Sequence, residues 1–209
     1  MGMTYKLSAL SSDITIGKLK ASAAALPVWD NSKPLDGEEY EAYFANFDAF
    51  WEGFHKKISP LTDDMVFDRE RLGRWMQLKD EDFVFPNDNG LFIVKPEHVI
   101  RAIDTLETLL DKVASMPFDP VDSRGTVYNR REWNSEKQGW DNEYHGSPNN
   151  IAIFKEVEKV LLRASHFTFP WENPEWKIKN RVSQMLTTLR RVQDFMKDNP
   201  HRVIIGEYY

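Results

Sequence analysis

The chain has no cysteine among its 209 residues. That removes thiol nucleophiles, iron–sulfur clusters and cysteine zinc sites together. It also points to a reducing compartment, because small secreted domains lean on disulfides. No stretch approaches the ~20 consecutive apolar residues of a membrane helix. The first thirty residues hold no long apolar run behind a basic start, and Ala21-Ser22-Ala23-Ala24-Ala25-Leu26 is too short for a signal core. Asn-x-Ser/Thr acceptors are also missing. A cytoplasmic protein of bacterial or phage origin is therefore expected, with no membrane association.

The strong catalytic signatures are missing too. Gly17-Lys18 lacks the upstream glycine of a P-loop, and Leu19 stands where a Mg²⁺-binding hydroxyl is needed. There is no Gly-x-Gly-x-x-Gly, Gly-x-Ser-x-Gly or His-Glu-x-x-His. The five histidines (His55, His98, His145, His166 and His201) are far apart, so no helix carries a zinc-chelating pair. No cofactor and no metal are expected.

What the chain does have is aromatic bulk: seven Trp and thirteen Phe, within a hydrophobic fraction of 41%. A chain of this length removes roughly 70% of its unfolded surface from water, and these residues supply the core that does so. The net charge of −6 repels phosphates unless the basic residues segregate. They do so once, as Lys177, Lys179, Arg181, Arg190, Arg191 and Lys197 against Asp194. In an acidic chain this reads first as a solvated helix face, so nucleic acid is not the expected partner.

Periodicity predicts an α+β fold that is predominantly helical. A first strand falls at 4–10. A short helix capped by Ser12 or Asp13 runs to about Leu26. A longer one spans 36–58, where Tyr40, Tyr43, Phe44, Phe47, Phe50, Trp51, Phe54 and Ile58 recur at threes and fours. Such a stripe is first a core face. Thr62 or Asp63 caps a helix through 78. Phe83-Val84-Phe85 and Leu91-Phe92-Ile93-Val94 flank an Asn/Asp/Gly turn and read as a hairpin. Pro96 opens a helix to about Ser115, buried through Val99, Ile100, Ile103, Leu106, Leu109, Leu110 and Val113. Asn150 caps the next helix, Asn173-Pro174 opens a long one to Lys197, and 202–206 reads as a strand pairing with the hairpin or the first strand. The sum is five or six helices with a small, largely antiparallel sheet, the 83–94 hairpin plus terminal strands, in a single domain spanning 1–209.

Residues 116–149 break this periodicity. A structureless loop beyond ~12–15 residues is uncommon in a compact domain and is often functional. This one carries Arg124, Arg130, Arg131, Trp133, Trp140, Asp141, Glu143, Tyr144 and His145. Trp, Tyr and Arg anchor interfaces, because each buries large area with few rotors and keeps a directional polar group. Arg130, Arg131, Trp133, Trp140 and Tyr144 are therefore the candidate binding residues. Asp141, Glu143 and His145 are the weaker candidate catalytic set. The competing reading is an extra hairpin around Val127-Tyr128 whose tryptophans plug the core. The other carboxylate clusters, including Asp80-Glu81-Asp82, read as solvated charge.

Several short pieces resemble the bacterial YfbM-like family. They are Met1-Gly2-Met3, the run Leu91-Phe92-Ile93-Val94-Lys95-Pro96-Glu97-His98-Val99, Phe118-Asp119-Pro120, and a terminal helix followed by Arg202-Val203-Ile204-Ile205. The resemblance covers about a third of the chain and implies a fold, not a reaction. The function expected from the residues is a non-catalytic interaction protein, of immunity type or a bacterial or phage accessory protein, with another protein as partner. The alternative is a small hydrolase using the carboxylates and His145 of the 116–149 segment.

Overall fold

A computed structural model describes residues 4–26, 37–62, 67–85, 88–119, 128–161 and 174–208. They form β1 (Thr4–Leu10), α1 (Ile16–Ala24), α2 (Gly37–His55), β2 (Ile58–Pro60), β3 (Phe67–Asp68), α3 (Arg69–Met76), a 3-10 turn (Asp80–Asp82), β4 (Phe83–Phe85), β5 (Asp88–Val94), α4 (Pro96–Ala114), β6 (Tyr128–Asn134), β7 (Gly139–His145), α5 (Pro148–Leu161), α6 (Pro174–Asp198) and β8 (Ile204–Tyr208). The fold is α+β and predominantly helical, with six α-helices among the described residues. The chain divides into two compact units, residues 1–100 with 190–209, and residues 101–189; the division falls inside α4 and α6.

The first unit is built on an antiparallel sheet of order β2-β1-β8-β5-β4, with β3 also pairing with β1. β8 runs between β1 and β5, so it takes both partners that its sequence allowed. Leu7 to Leu10 and Leu91 to Val94 are all buried, residue after residue. A strand with no exposed side is covered on both faces, which is why neither run alternates with exposed polar residues and only Ser8 interrupts their apolar character. On one face Leu10, Leu91, Ile93 and Ile205 cluster with Leu19 and Ala23 of α1 and Phe54 of α2, with Phe50 and Trp51 packed against them. The C-terminal half of the α2 stripe is thus core: Phe50 meets Phe85 edge-on at 5.5 Å, and Trp51 meets Phe54 likewise at 5.5 Å.

On the other face, Leu7, Gly206, Phe92 and Phe83 stand opposite one another across four strands. The Phe92 ring lies directly over Gly206. A Cβ added there would come within 2.1 Å of its Cζ. The glycine is needed because the ring takes the space that its side chain would fill.

Local boundaries differ from expectation for identifiable reasons. Thr15, not Ser12 or Asp13, caps α1 by accepting from the Lys18 amide at 3.2 Å, and Asp13 accepts from the Ser11 hydroxyl instead. Residues 58–60 leave the helical stripe and become an edge strand. Thr62 caps no helix. Its buried hydroxyl accepts the Leu7 amide at 3.0 Å, continuing the ladder along β1. Asp36, Asp63 and the 86–87 turn lie outside the described residues. Ile100, expected inward, is 44% exposed. α3 ends with the Leu78 amide bonded to the Gly73 carbonyl and the Gln77 amide to that of Arg74, which puts Gln77 at φ 53°. That is a Schellman ending with a non-glycine residue in the left-handed position.

Gly206→Ala should lower unfolding stability by about 2–3 kcal/mol in urea titration, through overpacking against Phe92. Gln77→Gly should raise it by about 0.5–1 kcal/mol, since the left-handed cost removed exceeds the added chain entropy.

Candidate functional site

The segment expected to be irregular is largely a regular ribbon. β6 and β7 pair antiparallel from Tyr128↔His145 to Asn134↔Gly139 without a register shift. Residues 120–127 lie outside the described part. The extra-hairpin reading is the one that matches; its core-plug corollary does not hold for Trp133, which is 53% exposed, and the Trp140 side chain lies outside the described residues. The turn is set by Asn134. Its Oδ1 accepts the Glu136 and Lys137 amides at 3.0 and 3.1 Å, and Gln138 turns the chain at φ 51°. A side-chain carbonyl mimicking a backbone turn is what Asn does well.

Strand alternation sorts the candidate residues. Arg131 and Trp133 share a face by register with Trp140 and Tyr144. Arg130 falls on the opposite face with Asp141, Glu143 and His145. Four of the five candidate binding residues therefore sit together. The Arg130, Arg131 and Trp140 side chains lie outside the described residues.

Tyr144 is engaged within the chain. Its hydroxyl donates to Glu158 Oε2 at 2.7 Å, its ring meets Phe154 edge-on at 6.0 Å, and Lys155 Nζ lies 4.6 Å above it. Each partner is on α5. Tyr144 is thus the root that fixes the ribbon to this helix. Trp140 is four strand residues further toward the turn, about 13 Å away.

Of the weaker catalytic set, Glu143 and His145 lie close together, while Asp141 is engaged by the turn. Asp141 accepts from Asn134 Nδ2 at 2.7 Å and from Lys137 Nζ at 3.1 Å, and these bonds hold its carboxyl below the usual range. It braces the turn. His145 Nε2 stands 3.5 Å from Glu143 Oε2, with the Glu143 side chain 68% exposed. Among the described residues no group of three His, Asp or Glu is arranged to hold a metal ion. In the basic stretch, Arg190, Arg191 and Lys197 are exposed and Lys197 lies 3.4 Å from Asp194. The Lys177, Lys179 and Arg181 side chains lie outside the described residues. No described helix is long and apolar enough to cross a membrane.

Three polar clusters escaped the sequence reading. The first corrects the assignment of Asp82 to solvated surface: it is 1% exposed. Asp82 Oδ2 accepts the Lys79 amide at 2.9 Å, and His98 Nδ1 accepts the Lys95 amide at 3.2 Å. Each is the third residue of its turn reaching back to the residue before it, half of a capping box. His98 accepts at Nδ1, so its proton is on Nε2, 3.4 Å from Asp82 Oδ2. Lys95 Nζ closes the group at 2.6 Å from Asp82 Oδ1. Burial pushes the Asp82 carboxyl up, but the Lys95 bond, the Lys79 amide and the proximity of His98 and Lys95 outweigh it and leave it below the ordinary value. The bond to Asp82 raises Lys95. The hint in the sequence was an acid three residues after Lys79 and a histidine two after Pro96.

The second cluster corrects the cap of α5. Ser147 occupies that position, its hydroxyl accepting the Asn150 amide at 3.3 Å, with Pro148 at the first helical residue. Asn150, buried, instead accepts from the Asp119 amide at 3.1 Å and donates to the Asp119 carbonyl at 3.0 Å. The Asp119 carboxyl, held low by bonds from Ser147 and Asn149, faces the helix start. In the third cluster, His55 Nε2 lies 2.6 Å from Oε1 of buried Glu207, tying the end of α2 to β8.

Asp82→Asn should cost about 3 kcal/mol of unfolding stability at neutral pH, as for one partner removed from a buried pair. The depressed carboxyl contributes fully above the unfolded value of ~3.9 and is lost as pH falls through the native pKa. Lys95 contributes below ~10.4, and its share is lost as pH rises through its raised value. Chemical denaturation of wild type and variant from pH 3 to 7 should therefore show the gap between them closing at the acid end. A constant gap contradicts the assignment.

No family model, no curated protein and no solved structure matches this chain.

Proposed function

We propose that the chain is a binding protein without catalysis of its own, and that it meets another protein through the Trp133 half of the β6–β7 ribbon. The observation that supports this is an indole 53% exposed on a ribbon whose root is fixed by Tyr144. A large amphipathic side chain displayed from an ordered element is what interface anchors require, because little entropy remains to be lost on docking. The net charge of −6 favours a basic partner, whose approach it accelerates. The cysteine-free composition suits a reducing cytoplasm. An immunity-type or bacterial or phage accessory protein fits these features. The hydrolase alternative has less support, since Asp141 is engaged by Lys137 and Asn134.

Trp133 is not a core residue, so Trp133→Ala should keep the wild-type far-ultraviolet spectrum. Affinity capture from the native host should return a protein retained by wild type and lost by Trp133→Ala. With that protein purified, the substitution should weaken Kd tenfold or more, on the scale of about 1.4 kcal/mol or above for an anchor. Equal retention of every captured protein by the variant overturns the proposal.

A further inference from the structure

Asp119 is followed by Pro120, and the peptide bond between them has a latent chemistry of its own. Proline makes it a tertiary amide without an N–H. The aspartate carboxylate is tethered to its own carbonyl carbon through Cα and Cβ, so attack there closes a five-membered ring. Intramolecular closures of this kind carry large effective molarities. Every Asp–Pro bond shares that much; what the fold adds is particular to Asp119.

Both backbone groups of Asp119 are held by one side chain. Asn150, 5% exposed, accepts the Asp119 amide at 3.1 Å and donates from Nδ2 to the Asp119 carbonyl at 3.0 Å. That carbonyl is the one bonded to Pro120. An N–H already fixed on a carbonyl oxygen stabilises the negative charge that grows there when a nucleophile adds. The carboxyl is fixed as well. The Ser147 hydroxyl donates to it, and Asn149 Nδ2 donates to Oδ1 at 2.9 Å. Ser147 is oriented in turn, because its oxygen accepts the Asn150 amide at 3.3 Å. These bonds keep the carboxyl ionised further into acid than an ordinary aspartate. A nucleophilic carboxylate therefore coexists with the proton that a departing nitrogen needs. Asp119 is half-buried rather than sealed in the core.

We propose that the chain cuts itself between Asp119 and Pro120, with Asp119 as nucleophile and Asn150 as donor to the developing oxyanion. A carboxylate oxygen adds to the Asp119 carbonyl carbon. The C–N bond to Pro120 then breaks, its electron pair stays on the proline nitrogen, and that nitrogen takes a proton from solvent. The product at Asp119 is a cyclic anhydride. One water opens it, leaving two carboxyl groups on Asp119 and a secondary amine on Pro120. Nothing is oxidised or reduced.

The cut is a single event on the chain itself, so it goes beyond the binding reading and does not depend on it. It frees the end that leads into β6, while Tyr144 keeps the ribbon on α5. The two pieces stay together without a covalent bond, since β8 of the later piece sits between β1 and β5 of the earlier one.

The test holds purified full-length chain at mildly acidic pH, with folding checked by far-ultraviolet circular dichroism, and follows intact mass under denaturing conditions. Fragments 1–119 and 120–209 should accumulate, their masses summing to that of the chain plus one water. The same chain in urea at the same pH reports the unaided bond. Folded protein should cut about a hundredfold faster, the scale of one oxyanion donor. Asn150→Asp keeps the acceptor for the Asp119 amide and removes the donor to its carbonyl, so it should bring the folded rate down to that in urea. Asp119→Asn removes the nucleophile and should abolish the cut. An uncut folded chain, a cut elsewhere, a rate no faster than in urea, or either variant folded and cutting like wild type overturns the proposal. Where Asn150→Asp does not fold, the comparison of wild type with and without urea decides alone.

Discussion

The seating of β8 between β1 and β5 is the constraint on which the sheet of the first unit depends. Two strands already apolar on both sides meet only through a third that carries Ile204 and Ile205 and, at the point of closest approach, nothing at all. Phe92 occupies the volume that Gly206 vacates, and Phe83 packs edge-on against Phe92 at 6.1 Å. The register is therefore set by shape. Sliding β8 by one residue turns Ile205 to the opposite face and puts a side chain under the Phe92 ring. Arg202 adds a polar latch at the entry to β8, its Nε donating to the Leu10 carbonyl, while the Leu10 amide bonds Val203.

Several of the buried polar groups finish backbone hydrogen bonding. Thr62 satisfies the Leu7 amide, Asp82 and His98 satisfy the amides that open two consecutive turns, and Asn150 clamps both backbone groups of Asp119. Each stands where a helix start or strand end leaves donors without a ladder partner. Asp82 does more, since it also gathers Lys95 and His98 and so joins the 3-10 turn to the first turn of α4. In this chain the buried charges mark junctions between elements, which is a structural reason for residues that resemble catalytic ones.

The helices were legible because their signals are local and redundant. Pro96 at a first position, a repeat from Val99 to Val113 and a polar opposite face describe α4 almost to the residue. β1, β5 and β8 were legible as short apolar runs bounded by turn residues. The ribbon was not. Tyr128–Asn134 and Gly139–His145 mix charge, amide and aromatic on both faces, so no hydrophobic period of two emerges. Its two strands are recognised only once they are paired. Asp82 was read as surface because two exposed acids precede it, and burial of the third depends on Lys95 and His98 arriving from α4. The binding candidates were found as residue types, but their division into a Trp face and an acidic face required the register.

The position of β8 also orders events in time. Arg202 and Leu10, which touch in the finished fold, are 192 positions apart. During synthesis β1 and β5 leave the ribosome long before the segment that unites them, each greasy on two sides and each with an open ladder. At roughly 5–20 residues per second, β1 waits about ten seconds or more in that state. Helices α1 and α2 can gather over one side meanwhile, but the missing middle strand leaves a slot shaped for any extended apolar peptide nearby. Transiently uncovered apolar strands of this kind are what makes a growing chain prone to aggregate.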